Sequence, residues 1–195
     1  TLNPHAAVPE GERPNVVLMM GPNGAGKSTI RDMEVDTSRY TVIDPDAAKR
    51  ALPEYKGWNA PLLHEESSHV ADGLAMERAM LSRHNIVYDS TGKTASKYER
   101  MAEGFKRAGY TVTVMHADIP PEVAAQRAYD RWRRGGAEGR LVAPHMIVDD
   151  VDDKPVVTYE RLKSRGLADR MVRYDTNVPR GARPRKVEDV TLRTR

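Results

Sequence analysis

The chain has 195 residues, 39% hydrophobic and 30% charged, with a net charge of +3 and no cysteine. This length and balance suit one globular domain with a full core, and exclude a disordered chain. The missing cysteines exclude disulfides and thiolate metal sites, which fits a reducing cytoplasm, and the charge is too small to require a nucleic-acid partner. No apolar stretch approaches a membrane span, and no signal-peptide pattern precedes the first element. The segment 1–14 contains Pro4, Pro9, Gly11 and Pro14 and reads as a flexible arm or linker. The start at Thr1 reads as processed, or as excised from a longer polypeptide.

Asn15 to Met20 is a continuous apolar run, the pattern of a parallel strand covered on both faces. It runs into Gly21-Pro22-Asn23-Gly24-Ala25-Gly26-Lys27-Ser28, which fits G-x-x-x-x-G-K-[ST]. A helix can start at once with Thr29 and Ile30. Strand, glycine loop and helix form the context in which backbone N–H groups and a helix N-terminus hold phosphate oxygens. Lys27 then reaches the β- and γ-phosphates of ATP or GTP, and Ser28 offers its hydroxyl to Mg²⁺. A glycine turn that binds nothing would not require this spacing.

A second strand, Tyr40 to Ile43, ends in Asp44-Pro45-Asp46. Ligands of open parallel sheets bind beyond the carboxyl ends of the strands, so both carboxylates face the phosphate region. Asp46 suits a general base for an attacking hydroxyl. Asp44 suits a helix cap, a metal contact or a substrate contact, with Pro45 opening the helix. A loop from Pro53 to Pro61 carries Trp58, which reads equally as a substrate cover or as a plug for the core edge. Leu62 to Ser82 reads as one long helix with an apolar stripe at Leu63, Val70, Leu74 and Leu81. Glu66 and Glu77 flank that stripe as candidate substrate contacts.

The third strand, Asn85 to Tyr88, closes with Asp89, where a carboxylate positions Mg²⁺ directly or through water. Thr91 and Lys93 follow on a strand-to-helix turn facing the substrate side. Ala95 to Ala108 is an amphipathic helix ended by Gly109, and Tyr110 to Ala117 is the fourth strand. In the next helix Val123, Arg127 and Arg131 lie on one line. That helix runs into an arginine- and glycine-rich stretch, about residues 132–143 with Arg140, which reads as a lid. Arginines there stabilise charge on a transferring phosphoryl group and exclude water. A basic surface balanced by Asp130 and Glu138 is the plain alternative. The aspartates 149, 150, 152 and 153 read as a solvated patch. Met171 to Tyr174 is the fifth strand, and the tail 179–195 reads as a loose basic end. The elements predict an α/β, three-layer domain over residues 15–178 with a central, mostly parallel five-stranded sheet.

The order of these motifs resembles the zeta-toxin family of P-loop kinases over about Asn15 to Asn177. The resemblance rests on the glycine loop, Val42-Ile43-Asp44-Pro45-Asp46, His64-Glu65-Glu66-Ser67-Ser68, Val87-Tyr88-Asp89-Ser90-Thr91-Gly92 and the arginines through Arg140. It implies an ATP- or GTP- and Mg²⁺-dependent kinase acting on a hydroxyl of UDP-N-acetylglucosamine, restrained by a small helical antitoxin. It places Asp46 on the catalytic base, Lys27 and Ser28 on the phosphate and Mg²⁺ contacts, and Arg140 on the second lid arginine. The first lid arginine falls on Arg127 or Arg131. Tyr88-Asp89-Ser90 departs from the family's glutamate followed by glycine. Beside this reading stand a polynucleotide or nucleoside 5′-hydroxyl kinase, suggested by the basic lid and tail, and a nucleotide-binding regulatory module of a larger protein.

Overall fold

The computed structural model describes residues 2–50, 52–56, 69–135 and 142–192. The predicted loop around Trp58, the first part of the helix from Leu62, and Glu66 and Arg140 lie outside the described residues. Strands β1 (Asn15–Met20), β2 (Thr41–Ile43), β3 (Ile86–Asp89), β4 (Thr111–Asp118), β5 (Arg170–Asp175) and β6 (Arg185–Thr191) form one sheet in the order β2-β3-β1-β4-β5-β6. The first five are parallel, and β6 is antiparallel to β5. The strand order reverses at β1, so the crevice beyond its carboxyl end lies between the β3 and β4 connections. That is where such sheets hold ligands.

Helices cover both faces. They are α1 (Lys27–Glu34), α2 (Pro45–Arg50), α3 (Met76–Leu81), α4 (Ala95–Arg107), α5 (Pro121–Gly135) and α6 (Lys154–Ser164). One core layer joins Val16, Leu18 and Met20 of β1 to Tyr98 and Phe105 of α4 and Tyr159 and Leu162 of α6. The other joins Val17 and Met19 to Ile30 of α1 and Ala124 and Ala128 of α5. β1 alternates between the two layers and is buried on both, which explains its unbroken apolar sequence.

The sheet has six strands where five were expected. The tail, expected to be loose, pairs as β6 along the edge. Arg170 of β5 makes a bidentate pair with Asp189, at 2.8 and 2.6 Å. Tyr159 donates to Glu188 at 2.7 Å, and Lys186 pairs with Glu34 at 3.3 Å. Charged side chains on an edge strand hide the apolar alternation that marks inner strands. At the other end, segment 2–14 packs against the sheet, with Ala6 fully buried and Asn85 N–H donating to its carbonyl at 2.8 Å.

The apolar stripe predicted before β3 is displaced. His69–Ala75 is a π-helical turn that leads directly into α3. Ala71, Met76 and Ala79 are buried, whereas Leu74 and Leu81 are 54% and 77% exposed. The wider turn adds a residue, so the inward face steps by five and then by three. A fixed helical period cannot anticipate that step.

Glu99 of α4 is buried and bound by α6. Arg161 donates twice to it at 2.9 Å, and Arg165 lies 3.1 Å away. Burial opposes its ionisation, but the hydrogen bonds from Arg165 and Arg161 outweigh that and hold its carboxyl below the ordinary 4.5. A carboxyl depressed in the folded state stabilises fully above its unfolded value, and this contribution fades as pH falls through the lower folded value. Glu99→Gln should therefore lower Tm at neutral pH and flatten the acid limb of a Tm–pH curve. Identical curves for the two proteins would remove this cluster from acid stability.

Candidate active site

The glycine loop takes its shape from three left-handed residues: Gly21, Gly24 and Gly26 have φ of 138°, 89° and 83°. Gly21 N–H donates to the Thr91 carbonyl at 2.9 Å, which ties the loop to the β3 connection. A turn closes from Ala25 N–H to the Pro22 carbonyl at 3.1 Å, and α1 begins at Lys27. Thr29 and Ile30 N–H donate to the Gly26 carbonyl at 3.1 and 3.3 Å, and the amides before them, at the very start of the helix, are the ones an anion placed there can use. Lys27 Nζ lies against the loop, 2.9 Å from the Gly21 carbonyl and 3.3 Å from that of Pro22.

This loop forms one wall of a cleft of about 1270 Å³. Asn23, Gly24, Gly26, Lys27, Ser28 and Thr29 line it together with Asp44, Asp46, Asp89, Thr91 and Lys93. Arg127, Arg131 and Arg134 of α5 line the same cleft. Pro22 sits instead on a smaller cavity, and Ala25 is buried beneath the loop. Glu77 is exposed on α3 and is not part of the cleft wall. The register shift from the π-helical turn turns that position away.

Asp44 accepts the N–H of Asp46 at 2.8 Å, the cap that starts α2. Pro45 is the first residue of α2, so Asp46 stands in its first turn, on the cleft wall. Asp89, with its side chain only 12% exposed, lies 3.9 Å from Lys27 and 3.6 Å from Arg31. Burial pushes its carboxyl up, Lys27 and Arg31 pull it down, and the charges of Asp44 and Asp46 push it up again. The three carboxylates are therefore close enough to feel one another. Among the described residues no group of three or more acidic or histidine side chains could hold a metal alone. A Mg²⁺ in a phosphate site keeps waters and takes one or two protein ligands plus phosphate oxygens. Ser28 and Asp89, a hydroxyl and a carboxylate on the same cleft wall, are the side chains that could hold such an ion.

Arg127 has a specific task. Its guanidinium donates to the carbonyls of Thr176 at 2.9 Å and Val178 at 2.7 Å, clasping the loop after β5. Thr176 also bonds the Asp118 carbonyl through its N–H (2.9 Å) and hydroxyl (3.0 Å), so this loop is fixed from two sides.

Several cleft residues had no clear mark in the sequence. Asp150, expected in a solvated patch, accepts from Lys93 at 2.5 Å. Arg31 is four residues after Lys27 on α1, a spacing that puts both on one face. Lys97 and Tyr98 of α4 also line the cleft. The i, i+4 step from Lys93 to Lys97 was the available signal for Lys97.

Residues 2–181 match the sequence profile of the family described as Zeta toxin. No curated protein matches the chain in sequence. In three dimensions it is similar to a structure of the PezAT chromosomal toxin–antitoxin system of Streptococcus pneumoniae. The TM-score there is 0.71 at 19% identity, over 92% of this chain and 72% of that one. It is similar to AvrRxo1-ORF1:-ORF2 with ATP, at a TM-score of 0.67 and 18% identity, over 93% of this chain and 60% of that one. A gluconokinase from Sinorhizobium meliloti gives 0.51 at 20% identity, over 86% of each chain. At these identities the structures establish a shared P-loop kinase fold. This chain spans about three fifths of the AvrRxo1-ORF1:-ORF2 chain it matches. No helix among the described residues is long and apolar enough to cross a membrane.

Proposed function

We propose, on the premise that the chain belongs to the zeta toxin family of P-loop kinases, that it transfers the terminal phosphoryl group of ATP or GTP to a hydroxyl of a nucleotide sugar such as UDP-N-acetylglucosamine. The observation that carries this reading is the single cleft shared by the glycine loop, Asp46, Asp89 and the α5 arginines. Its volume, about 1270 Å³, exceeds the usual 300–1,000 Å³ of a one-ligand pocket, which suits a donor and an acceptor side by side.

In this reading the loop amides and Lys27 hold the β- and γ-phosphates. Ser28 and Asp89 would hold Mg²⁺, which would supply charge neutralisation for the transfer. Asp46 accepts the proton of the acceptor hydroxyl as that oxygen attacks. Arg127 is occupied with two carbonyls, so it shapes the wall of the donor site. Arg131, one turn further along α5, is then the first lid arginine, with Arg140 as the second. Thr91 and Lys93 border the acceptor side in this reading, and Glu66 is assigned to the same side only by its place on the flank of the apolar stripe in the sequence. A small helical antitoxin is the expected protein partner, by family membership and by similarity to a toxin–antitoxin system.

The polynucleotide alternative draws less support. Two of the basic residues that suggested it are paired within the fold, Arg185 with Asp175 and Lys186 with Glu34. The test is direct. Pure protein with Mg²⁺ and γ-labelled ATP is offered UDP-N-acetylglucosamine, gluconate and a 5′-hydroxyl oligonucleotide in parallel. Label is expected on the nucleotide sugar. Label on the oligonucleotide alone, or on none of the three, would overturn the reading.

A further inference from the structure

Two lysines, Lys93 in the β3–α4 connection and Lys97 in the first turn of α4, each meet an aspartate carried by a π-helical turn. Lys93 meets Asp150 of the turn Met146–Val151, and Lys97 meets Asp72 of the turn His69–Ala75. Such turns are uncommon and concentrate at functional sites. The two pairs differ in kind. Lys93 and Asp150 are a simple pair with side chains 38% and 47% exposed, worth little and readily exchanged. Lys97 is locked. Its Nζ donates to Asp72 Oδ2 at 2.6 Å and to Tyr88 Oη at 2.7 Å, while that hydroxyl donates to Asp72 Oδ1 at 2.6 Å. Tyr88 is fully buried on β3, one residue before Asp89.

Hydrogen-bond accounting leaves a remainder. An ammonium has three N–H donors. Two of those on Lys97 are used, and the third has no acceptor among the described residues. Lys97 lines the same cleft as Thr91 and Lys93. A rigid cation with one unspent donor, facing a ligand cleft, costs little further ordering when it binds.

We infer that Lys97 is a specificity-determining contact of the acceptor, donating its third N–H to an acceptor oxygen, and that Asp72 is its positioning residue. This rests on the phosphotransferase reading above. Asp72 and Tyr88 both accept from the ammonium, so its position is set jointly by the turn His69–Ala75 and by β3. Lys97 is half-buried, with its side chain 32% exposed, so an acceptor that covers it without an oxygen at that point would leave the donor unmatched, the situation that gives a polar site its discrimination.

The experiment measures initial rates with ATP–Mg²⁺ as donor and UDP-N-acetylglucosamine as the acceptor used, for wild type, Lys97→Met, Asp72→Asn and the double variant. Lys97→Met should raise the acceptor KM about ten-fold or more, with the ATP KM unmoved. Asp72→Asn should raise the acceptor KM about three-fold, and the double variant should be no worse than Lys97→Met, because Asp72 acts through Lys97. Lys97→Gln replaces Lys97→Met in the series if the latter fails to fold by thermal melt. An unchanged acceptor KM in an active protein, or equal rises for acceptor and ATP, overturns the inference and leaves the function reading standing. Wild-type protein that binds ATP but transfers nothing to UDP-N-acetylglucosamine overturns the acceptor reading, and this inference with it.

Discussion

Asp46→Asn should lower phosphotransfer turnover by about 10³-fold, within the 10²–10⁴ range for a positioned general base, with ATP affinity nearly unchanged. The side chain belongs to the first turn of α2, and that turn is fixed by the Asp46 N–H to Asp44 bond at 2.8 Å. Asparagine keeps the shape and the backbone bond but cannot take up the acceptor's proton. The loop amides, Lys27 and Ser28, proposed to grip the donor, are elsewhere on the cleft wall, so calorimetric binding of ATP should survive. Asp44→Asn is the matched control. Asparagine caps a helix about as well as aspartate, so α2 should persist and turnover should fall only a few-fold. Turnover that is unchanged in Asp46→Asn, or that falls equally in both variants, would take Asp46 out of the base role. An effect confined to Asp46 would separate proton acceptance from simple acidity at the strand tip.

The two aspartates also illustrate what the sequence could reveal. Asp44-Pro45-Asp46 after a short apolar run gives strand end, cap and first turn from local chemistry alone, and the structure places them so. The glycine loop was legible for the same reason, because close approach of backbones permits few residue types. β6 was not legible. Its side chains answer to Arg170, Tyr159 and Glu34 from three distant elements, and an edge strand needs no apolar alternation. The cleft residues Asp150 and Lys97 were hidden differently. Asp150 sits in a run of aspartates that looks solvated until Met146–Val151 winds as a π-helical turn. Arg127 was read as one of two lid candidates, since spacing along α5 carries no information about the carbonyls of Thr176 and Val178. Local motifs were readable; partners brought from far along the chain were not.

Gly24→Ala should destabilise the protein by about 3 kcal/mol or more and weaken ATP binding at least about ten-fold, by clashing where nothing can yield. A Cβ at Gly24 would stand 2.2 Å from the Ala124 carbonyl oxygen, 3.0 Å from its carbon and 3.1 Å from Ala128 N, all main-chain atoms of α5. Side chains relax by changing rotamer, but a helix backbone must move as a body. Such a movement carries Arg127 with it and loosens its grip on Thr176 and Val178, so damage at the phosphate loop spreads to the loop after β5. Gly26→Ala separates this clash from backbone strain. Gly26 has a similar left-handed φ of 83°, yet no heavy atom lies within 4 Å of its added Cβ. It should cost only the roughly 1–2 kcal/mol of an L-residue held in that conformation. Urea unfolding of both variants gives the two free energies side by side. Equal losses would mean that α5 accommodates the methyl group freely and that the phosphate loop and the arginine helix are mechanically independent. A larger loss at Gly24 makes them one unit, in which the cradle for the donor phosphates and the arginines beside it are set by a single backbone contact.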